Sequence, residues 1–248
     1  MEKKPLISVI TVTYNAGKVI EKTMKSLEEQ TFKDFEHLVI DGKSGDDTLA
    51  KLKSYDLPQT KIISEPDKGL YDAMNKGLRN AKGEYVIFLN AGDAFHQADT
   101  LDDYARGAEE GYDIIYGDTV IVDGKGNLIG PRHLSVPEKL TFESFSDGML
   151  ICHQAFMVRK ELAPEYDLGY RFSADYDWCV KCIGKSQTNN YQNLHKVTID
   201  YLSDGLTDKN KFKSLRERFN IMRKHYGLSI TLMKHSGFFF RALKRGKI

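Results

Sequence analysis

Three cysteines in 248 residues are too few for a disulfide framework. Cys179-x-x-Cys182, taken with Cys152 or His153, lacks the second pair of a zinc site. Its i,i+3 spacing suits one helix face, so packed free thiols are expected. No stretch reaches the roughly 20 apolar residues that span a bilayer; near the C-terminus Lys234 and His235 interrupt the best candidate. The apolar run 6–12 follows Glu2-Lys3-Lys4 but has no small-residue cleavage site after it, so it reads as a strand rather than a secretion signal. No G-x-G-x-x-G follows a strand, which argues against a dinucleotide dehydrogenase. A nucleotidyltransferase would want a glycine-rich, Lys/Arg-bearing loop after the first strand, and Tyr14-Asn15-Ala16-Gly17-Lys18 is a poor match. Internal repeats and low-complexity segments are also missing.

What the chain does have is the composition of a soluble globular protein, 41% apolar and 29% charged. Its net charge of +1 hides an asymmetry. Residues 209–248 carry twelve Lys/Arg against one acid, Glu217, and residues 1–208 carry a net charge of −10. An acidic body with a basic tail points to an anionic partner for the tail.

Strand and helix patterns alternate through the first half. Residues 7–12 are apolar and rich in β-branched side chains, and they end at Thr13-Tyr14-Asn15. An amphipathic helix follows, with Val19, Ile20, Thr23, Met24 and Leu27 on one face. Strands are expected at 35–40, 61–63 and 85–89, with helices opening near Thr48 and over 70–81. This alternation predicts a parallel α/β sheet with right-handed crossovers. The strands end in polar or acidic residues: Asn15, Asp41, Glu65 to Asp67, and Asn90 to Asp93. In an open α/β sheet the ligand crevice lies outside these carboxyl ends. The stretch Phe88-Leu89-Asn90-Ala91-Gly92-Asp93 is central, because an aspartate there can hold a hard divalent cation and through it a phosphate. Loop polarity alone is the plainer account of each end.

In the second half, strands are expected at 113–122, at 151–158 (carrying His153 and Gln154) and at 196–202, followed by residues 203–207. Residues 123–127 give a hairpin signal. A helix is expected over 174–183, with Asp175 and Asp177 in its first turn. Two basic amphipathic helices are expected in the tail. Phe212, Leu215, Phe219, Met222 and Tyr226 stripe the first, and Ile230, Met233, Phe238, Phe239 and Leu243 the second. Such a tail can lie on an anionic bilayer surface or pack on the body with its charges in solvent; no recognition motif favours nucleic acid.

The motifs Ser8–Asn15, Asp41-Gly42, Gly69–Gly77, Leu89–Asp93 and Ala174–Asp177 together resemble the inverting family 2 glycosyltransferases of GT-A fold, of the bacterial polysaccharide-biosynthesis type. The similarity covers roughly residues 5–207, read as a GT-A domain of residues 1–207 followed by a helical tail of residues 208–248. The resemblance implies transfer of a hexosyl or N-acetylhexosaminyl group from a nucleoside diphosphate sugar, usually a UDP-sugar, to a glycan or polyprenyl-linked acceptor. It implies that Thr13, Tyr14 and Asn15 pack on the base and that Asp41 accepts the uracil N3–H. Asp72 and Asn75 would contact sugar and diphosphate, with Lys68 beside the diphosphate and Asn90 in the donor site. Asp93 would hold Mn²⁺ or Mg²⁺, and Asp175 would be the catalytic base. His153 stays open between the acceptor, the phosphate, the metal and a plain buried histidine.

Two departures from the family pattern stand out. Asn90 replaces the first acid of the metal motif, which removes a charge, so the metal is expected to bind more weakly and to arrive with the nucleotide. Ala174 replaces the glutamate before the catalytic aspartate. Both keep alive a rival reading, a non-catalytic nucleotide-sugar-binding protein of the same fold. Asp177 reads as structural, Asp118 as a neighbour of the acceptor side, and Trp178 as core. The expected location is the cytoplasm, with the tail touching the inner face of the membrane.

Overall fold

The computed structural model describes residues 4–203 and 211–244, with side chains in the last segment described over 212–238. The alternation continues as expected: β1 (Ile7–Thr13), α1 (Ile20–Glu28), β2 (Phe35–Asp41), α2 (Thr48–Ser54), β3 (Thr60–Ser64), α3 (Leu70–Asn80) and β4 (Tyr85–Phe88). β1 pairs in parallel with β2 and β4, and β2 with β3. Every residue of β1 is buried, as a central strand covered on both faces must be. Two of its three hydroxyls are satisfied internally: Ser8 Oγ donates to Glu36 Oε1 at 2.6 Å, and Thr11 Oγ1 donates to Leu89 O at 2.7 Å.

The period of two sorts the strand side chains between two cores. Ile10, Val12, Val86 and Phe88 face the layer of α3 and the later helix around Trp178. Ile7, Val9, Ile87 and Leu89 face the layer of α1 and the helix around Leu101 and Tyr104. Helix α3 lies close to the sheet at Gly77, where a Cβ would fall 2.4 Å from Ile10 Cγ2.

Beyond β4 come β5 (Ala94–Phe95), α4 (Thr100–Glu109), β6 (Ile114–Val122), β7 (Leu128–Pro131), β8 (Phe156–Arg159), α5 (Ala174–Lys185), β9 (Tyr191–Leu202), α6 (Lys211–Tyr226) and α7 (Leu228–Lys244). The sheet runs β3-β2-β1-β4-β8-β6-β9-β5, with β7 on β6. Its longest ladders are parallel, including β6 with β9. Short antiparallel pairings join β8 to β4 and β6, and β5 to β9. The expectation of a mostly parallel α/β sheet holds, and residues 123–127 close the β6–β7 hairpin.

Three expectations change in detail. The strand expected at 151–158 begins only at Phe156, because His153–Ala155 form a 3₁₀ turn closed by Ala155 N–H to Cys152 O at 2.9 Å. That turn takes His153 and Gln154 off the ladder and places them on the cavity wall. The last strand starts at Tyr191, since β6 pairs with the polar residues Gln192 and Asn193 as well as with the apolar end; the register then shifts between Tyr116 and Asp118, near His195 with its φ of 52°. The sequence reading assigns no element to Thr100–Glu109, although Leu101, Tyr104, Ala105 and Ala108 recur at helical spacing behind Asp102 and Asp103. Residues 204–207 and the side chains of Phe239 and Leu243 lie outside the described residues.

The tail helices pack on the body. Ser214 and Ser173 hydroxyls meet at 2.9 Å, His225 Nε2 and Asp177 Oδ1 at 2.7 Å, and Lys234 Nζ and Asp147 Oδ2 at 2.7 Å. Hydrogen bonds from His225 and Lys181 outweigh the burial that opposes them and hold the Asp177 carboxyl below its ordinary range. The expected apolar stripe divides: Met222 and Tyr226 join the core, whereas Phe212 and Leu215 face solvent. Among the described residues, no helix is long and apolar enough to cross a membrane. The three cysteines are buried free thiols, and Trp178 is fully buried with Nε1 donating to Pro164 O at 2.7 Å.

Candidate active site

A cavity of about 880 Å³ opens at the carboxyl ends of β1 and β4 and extends to the start of α5. Of the residues expected from the sequence, it brings together Thr13, Tyr14, Asn90, Asp93, His153 and Asp175. Thr13 and Asp175 lie 162 residues apart. Thr13, Tyr14, Asn90 and Asp93 meet because the parallel strands β1 and β4 deliver their carboxyl ends to one edge, and the 3₁₀ turn before β8 and the start of α5 bring His153 and Asp175 to it.

Thr13 and Tyr14 leave β1 at this edge. Thr13 Oγ1 is buried without a hydrogen-bond partner, and the Tyr14 ring is 66% exposed, free to act as a flat platform. The next residue, Asn15, takes a φ of 49°; its N–H donates to Ser44 Oγ at 2.8 Å and its Oδ1 accepts from Gly45 N–H at 2.9 Å. Asn15 therefore ties the β1 loop to the β2 loop from just outside the cavity wall. Asp41 closes β2 fully buried. It accepts from Ser44 N–H at 3.0 Å, from Ser64 Oγ at 2.6 Å and from the Ser44 hydroxyl. It stands behind Gly42, whose missing side chain leaves a gap between the Tyr14 ring and the Asp67 carboxylate.

The start of α3 forms another wall through Gly69, Leu70 and Tyr71. Lys68 and Asp72 shape this entry, Lys68 N–H donating to Asp72 Oδ2 at 2.9 Å, but neither lines the cavity. Asn75 is placed elsewhere. Its Nδ2 donates to Tyr166 O at 3.0 Å and its Oδ1 accepts from Tyr166 N–H at 2.7 Å, so the buried amide clasps the backbone before α5. One N–H and one oxygen lone pair of the amide are committed there, and Asn75 does not line the cavity.

Asn90 and Asp93 sit on the turn after β4, which is closed by Asp93 N–H to Asn90 O at 3.0 Å and made possible by Gly92 at φ 98°. The Asp93 carboxylate accepts from Leu202 N–H at 2.8 Å and Gln154 Nε2 at 2.9 Å. Burial pushes its pKa up to about 7, against the pull of those two donors and of the Lys22 charge. Asn90 Oδ1 is buried and unpartnered in the same cavity. Among the described residues, no cluster of three His, Cys, Asp or Glu side chains stands ready for a metal. An unsatisfied amide oxygen and one desolvated carboxylate nevertheless fit a hard cation that takes its remaining ligands from water and a diphosphate.

His153 is 4% exposed, and its Nε2 meets the Tyr166 hydroxyl. Burial lowers its pKa to about 4 despite the nearby Asp175 charge, so at neutral pH it is an uncharged ring wedged between Phe88 and Trp178. Asp175 opens α5, and its Oδ1 accepts from Tyr176 N–H at 2.9 Å and from the Tyr71 hydroxyl at 3.2 Å. Burial and the Asp175 charge hold the Tyr71 phenol far above its ordinary pKa, so it remains a donor. Asp118 lies within β6, half-buried, outside this wall.

Sequence reasoning missed Tyr71, Arg132, Arg171 and Arg218, all of which line the cavity. Tyr71 carries a signal in retrospect, since it lies in the motif 69–77. The arginines carry none, because they come from irregular segments and from the tail.

The comparisons with known proteins agree with this arrangement. The family model described as glycosyl transferase family 2 matches residues 8–166. A PGL/p-HBAD biosynthesis glycosyltransferase of Mycobacterium bovis is 34% identical over 225 residues, 85% of this chain and 84% of that protein. Among solved structures, S. aureus TarS residues 1–349 superpose with a TM-score of 0.71 at 21% identity, over 94% of this chain and 72% of that one. The same protein in complex with UDP-GlcNAc gives a TM-score of 0.67 at 21% identity, over 88% and 64%. The mannosyltransferase PcManGT of Pyrobaculum calidifontis, in complex with GDP-Man and Mn²⁺, gives 0.57 at 18% identity, over 92% and 65%. The fold is thus the GT-A fold expected from the sequence.

Proposed function

The chain belongs to glycosyl transferase family 2, and from that premise we propose that it transfers a sugar, with inversion, from a UDP-sugar to a hydroxyl of a glycan or polyprenyl-linked acceptor in cell-surface polysaccharide assembly. The observation that carries this reading is the placement of Asp175 in one cavity with Thr13, Asn90 and Asp93. A single displacement needs a base for the acceptor hydroxyl and stabilisation of the departing diphosphate. Asp175 takes the proton, oriented by Tyr71. Thr13 and Tyr14 hold the nucleotide base, with Asn15 and Asp41 bracing the loops behind them, while Lys68 and Asp72 border the diphosphate at the head of α3. Mn²⁺ or Mg²⁺ held by Asp93 and Asn90 would supply positive charge to the leaving group. His153, being uncharged, serves as a wall and hydrogen-bonding group for the acceptor.

The bound nucleotide sugars named for two neighbours support the choice of donor class. We place the reaction in the cytoplasm at the inner membrane face. Exposed Phe212, Leu215, Leu232 and Met233 beside basic residues of α6 and α7 support that contact, at about 1 kcal/mol for each cation near an anionic surface.

A thermal-shift titration with UDP, GDP, CDP and dTDP, each with and without Mn²⁺, tests the donor site. Ligand at about 100 times its Kd adds roughly 2.7 kcal/mol of stability. The expected result is a UDP-selective shift that Mn²⁺ enlarges, together with hydrolysis of a UDP-sugar that falls about 10²–10⁴-fold in Asp175→Asn. Binding without turnover, unchanged in that variant, would instead favour a non-catalytic nucleotide-sugar-binding protein.

A further inference from the structure

Five arginines occur in residues 4–203. Three hold carboxylates: Arg79 with Glu165 at 3.0 Å, Arg106 with Asp103, and Arg159 with Glu84 at 2.5 Å. The remaining two, Arg132 and Arg171, both line the cavity, and the tail adds Arg218 to the same space. Among the described residues none of these three has a carboxylate partner. Arg132 donates to Met149 O at 3.0 Å and Leu150 O at 3.3 Å, neutral acceptors that leave its charge uncompensated. Arg171 has its guanidinium carbon 5.9 Å from the Phe172 ring centre. Arg218 Nε is shielded from solvent without any hydrogen-bond partner. A buried donor left unmade is costly, and a charged one more so.

The nearest acid by sequence, Glu217, does not answer these charges. Its two oxygens accept from Arg171 N–H at 2.9 Å and Phe172 N–H at 2.8 Å. Those bonds fix the segment that leads into α5, so Arg171 and Arg218 are presented together beside Asp175. The other acids of the cavity are Asp67, Asp93 and Asp175. Asp67 accepts from Gly69 N–H, Asp93 from Gln154 and Leu202, and Asp175 from Tyr71 and Tyr176.

Resting on the donor-site reading above, we propose that the acceptor carries a phosphoryl group near its reacting hydroxyl, and that Arg171 and Arg218 bind that group, with Arg132 adding its charge to the same cavity. The side of approach decides between donor and acceptor. In a single displacement the nucleophile enters opposite the leaving group, so the base stands on the acceptor's side. Arg171 lies four residues before Asp175, and Arg218 comes from the helix packed on the start of α5. The donor diphosphate belongs at the turn of Asn90 and Asp93, which follows β4 and is separate from the segment that leads into α5. Planar guanidinium groups pair with phosphoryl oxygens in bidentate fashion and stay charged at any working pH.

The test uses the full chain saturated with UDP and Mn²⁺, titrated calorimetrically with glucose 1-phosphate, farnesyl phosphate and glucose. The expected result is binding of both phosphoesters and none of glucose. Arg171→Gln and Arg218→Gln should each weaken phosphoester binding at least about tenfold while leaving UDP affinity unchanged. Arg171 is exposed, so its variant is expected to fold even if the Arg218 variant does not. Tighter binding of farnesyl phosphate would assign the anion to a lipid headgroup, and equal binding to the phosphate alone. The proposal is overturned if UDP blocks phosphoester binding, if the variants lose UDP equally, or if no phosphoester binds. Failure of UDP itself to bind would overturn the donor reading first and this one with it.

Discussion

The Tyr71 hydroxyl donates to Asp175 Oδ1 at 3.2 Å across 104 residues of sequence. Behind Tyr71, the Tyr166 ring stacks at 5.6 Å, and Tyr166 in turn lies flat on Trp178 at 5.2 Å. Asn75 clasps the Tyr166 backbone from α3. The proposed base is thus held by a chain of contacts that runs from one helix start to another. Tyr71→Phe keeps the stack and removes only the donor. A hydrogen bond to a charged group is worth about 1.5–3 kcal/mol, so kcat should fall roughly 10- to 100-fold. Steady-state kinetics with KM for the donor unchanged would bear this out; unchanged kcat would remove Tyr71 from the mechanism.

Asn75 provides a test of support against contact. Asn75→Ala leaves the buried Tyr166 N–H and C=O without partners, at a cost of roughly 2–4 kcal/mol. Urea unfolding should show that loss, and UDP affinity should hardly change at a temperature where the variant is folded. A large loss of UDP affinity at wild-type stability would return Asn75 to the list of donor contacts.

Asn90→Asp restores a second acid to the turn. A charge placed where Asn90 Oδ1 has no partner is destabilising in the absence of a cation. The variant should therefore melt below the wild type in chelator and gain more than the wild type from Mn²⁺ with UDP. Equal gains in the two proteins would show that position 90 does not face the metal.

His37 is fully buried between two hydroxyls, with Nε2 2.9 Å from Thr11 Oγ1 and Nδ1 3.0 Å from Thr60 Oγ1. The Thr11 proton is committed to Leu89 O, so Nε2 carries the ring proton and Nδ1 accepts from Thr60. Burial lowers the His37 pKa from 6.5 to about 3. Below pH 6.5 the unfolded chain therefore takes up a proton that the folded chain refuses. The neutral-ring contribution is complete above 6.5 and is lost progressively as pH falls towards 3, at about 1.4 kcal/mol per pH unit. His153 acts with the same sign and Asp93, raised to about 7, with the opposite one. The check is accordingly the difference in unfolding free energy between wild type and His37→Gln, which should shift against the wild type by about that slope between pH 6.5 and 4.5. A pH-independent difference would contradict it.

Local pattern was enough to read the chain as far as β4. Runs such as 7–12 and 85–89 are apolar on both faces, and a run of that kind is stable as a strand only inside a covered parallel sheet. The polar residues that end them must then share one edge, so Thr13, Tyr14, Asn90 and Asp93 are legible as a group from the sequence. Asp175 was legible through its motif at the head of a helix. Where pattern misled, a longer-range partner had decided. The 3₁₀ turn at His153–Ala155 interrupts an apolar stretch and turns Gln154 towards Asp93. β5 is two residues long and exists only as a partner of β9.

What the sequence by itself determined is the layered α/β frame and the edge at which chemistry can occur, because both follow from side-chain periodicity and strand direction. Only the tertiary structure decided which polar groups are free to act there. Asn75 is consumed by a backbone that lies 91 positions away, and Tyr71 is turned onto Asp175. The tail, legible only as basic and amphipathic, delivers Arg218 to the cavity because Glu217, Ser214 and His225 find their partners on the body. Those outcomes depend on which donors and acceptors remain unpaired after packing, and pairing between distant segments leaves no periodic trace in the chain.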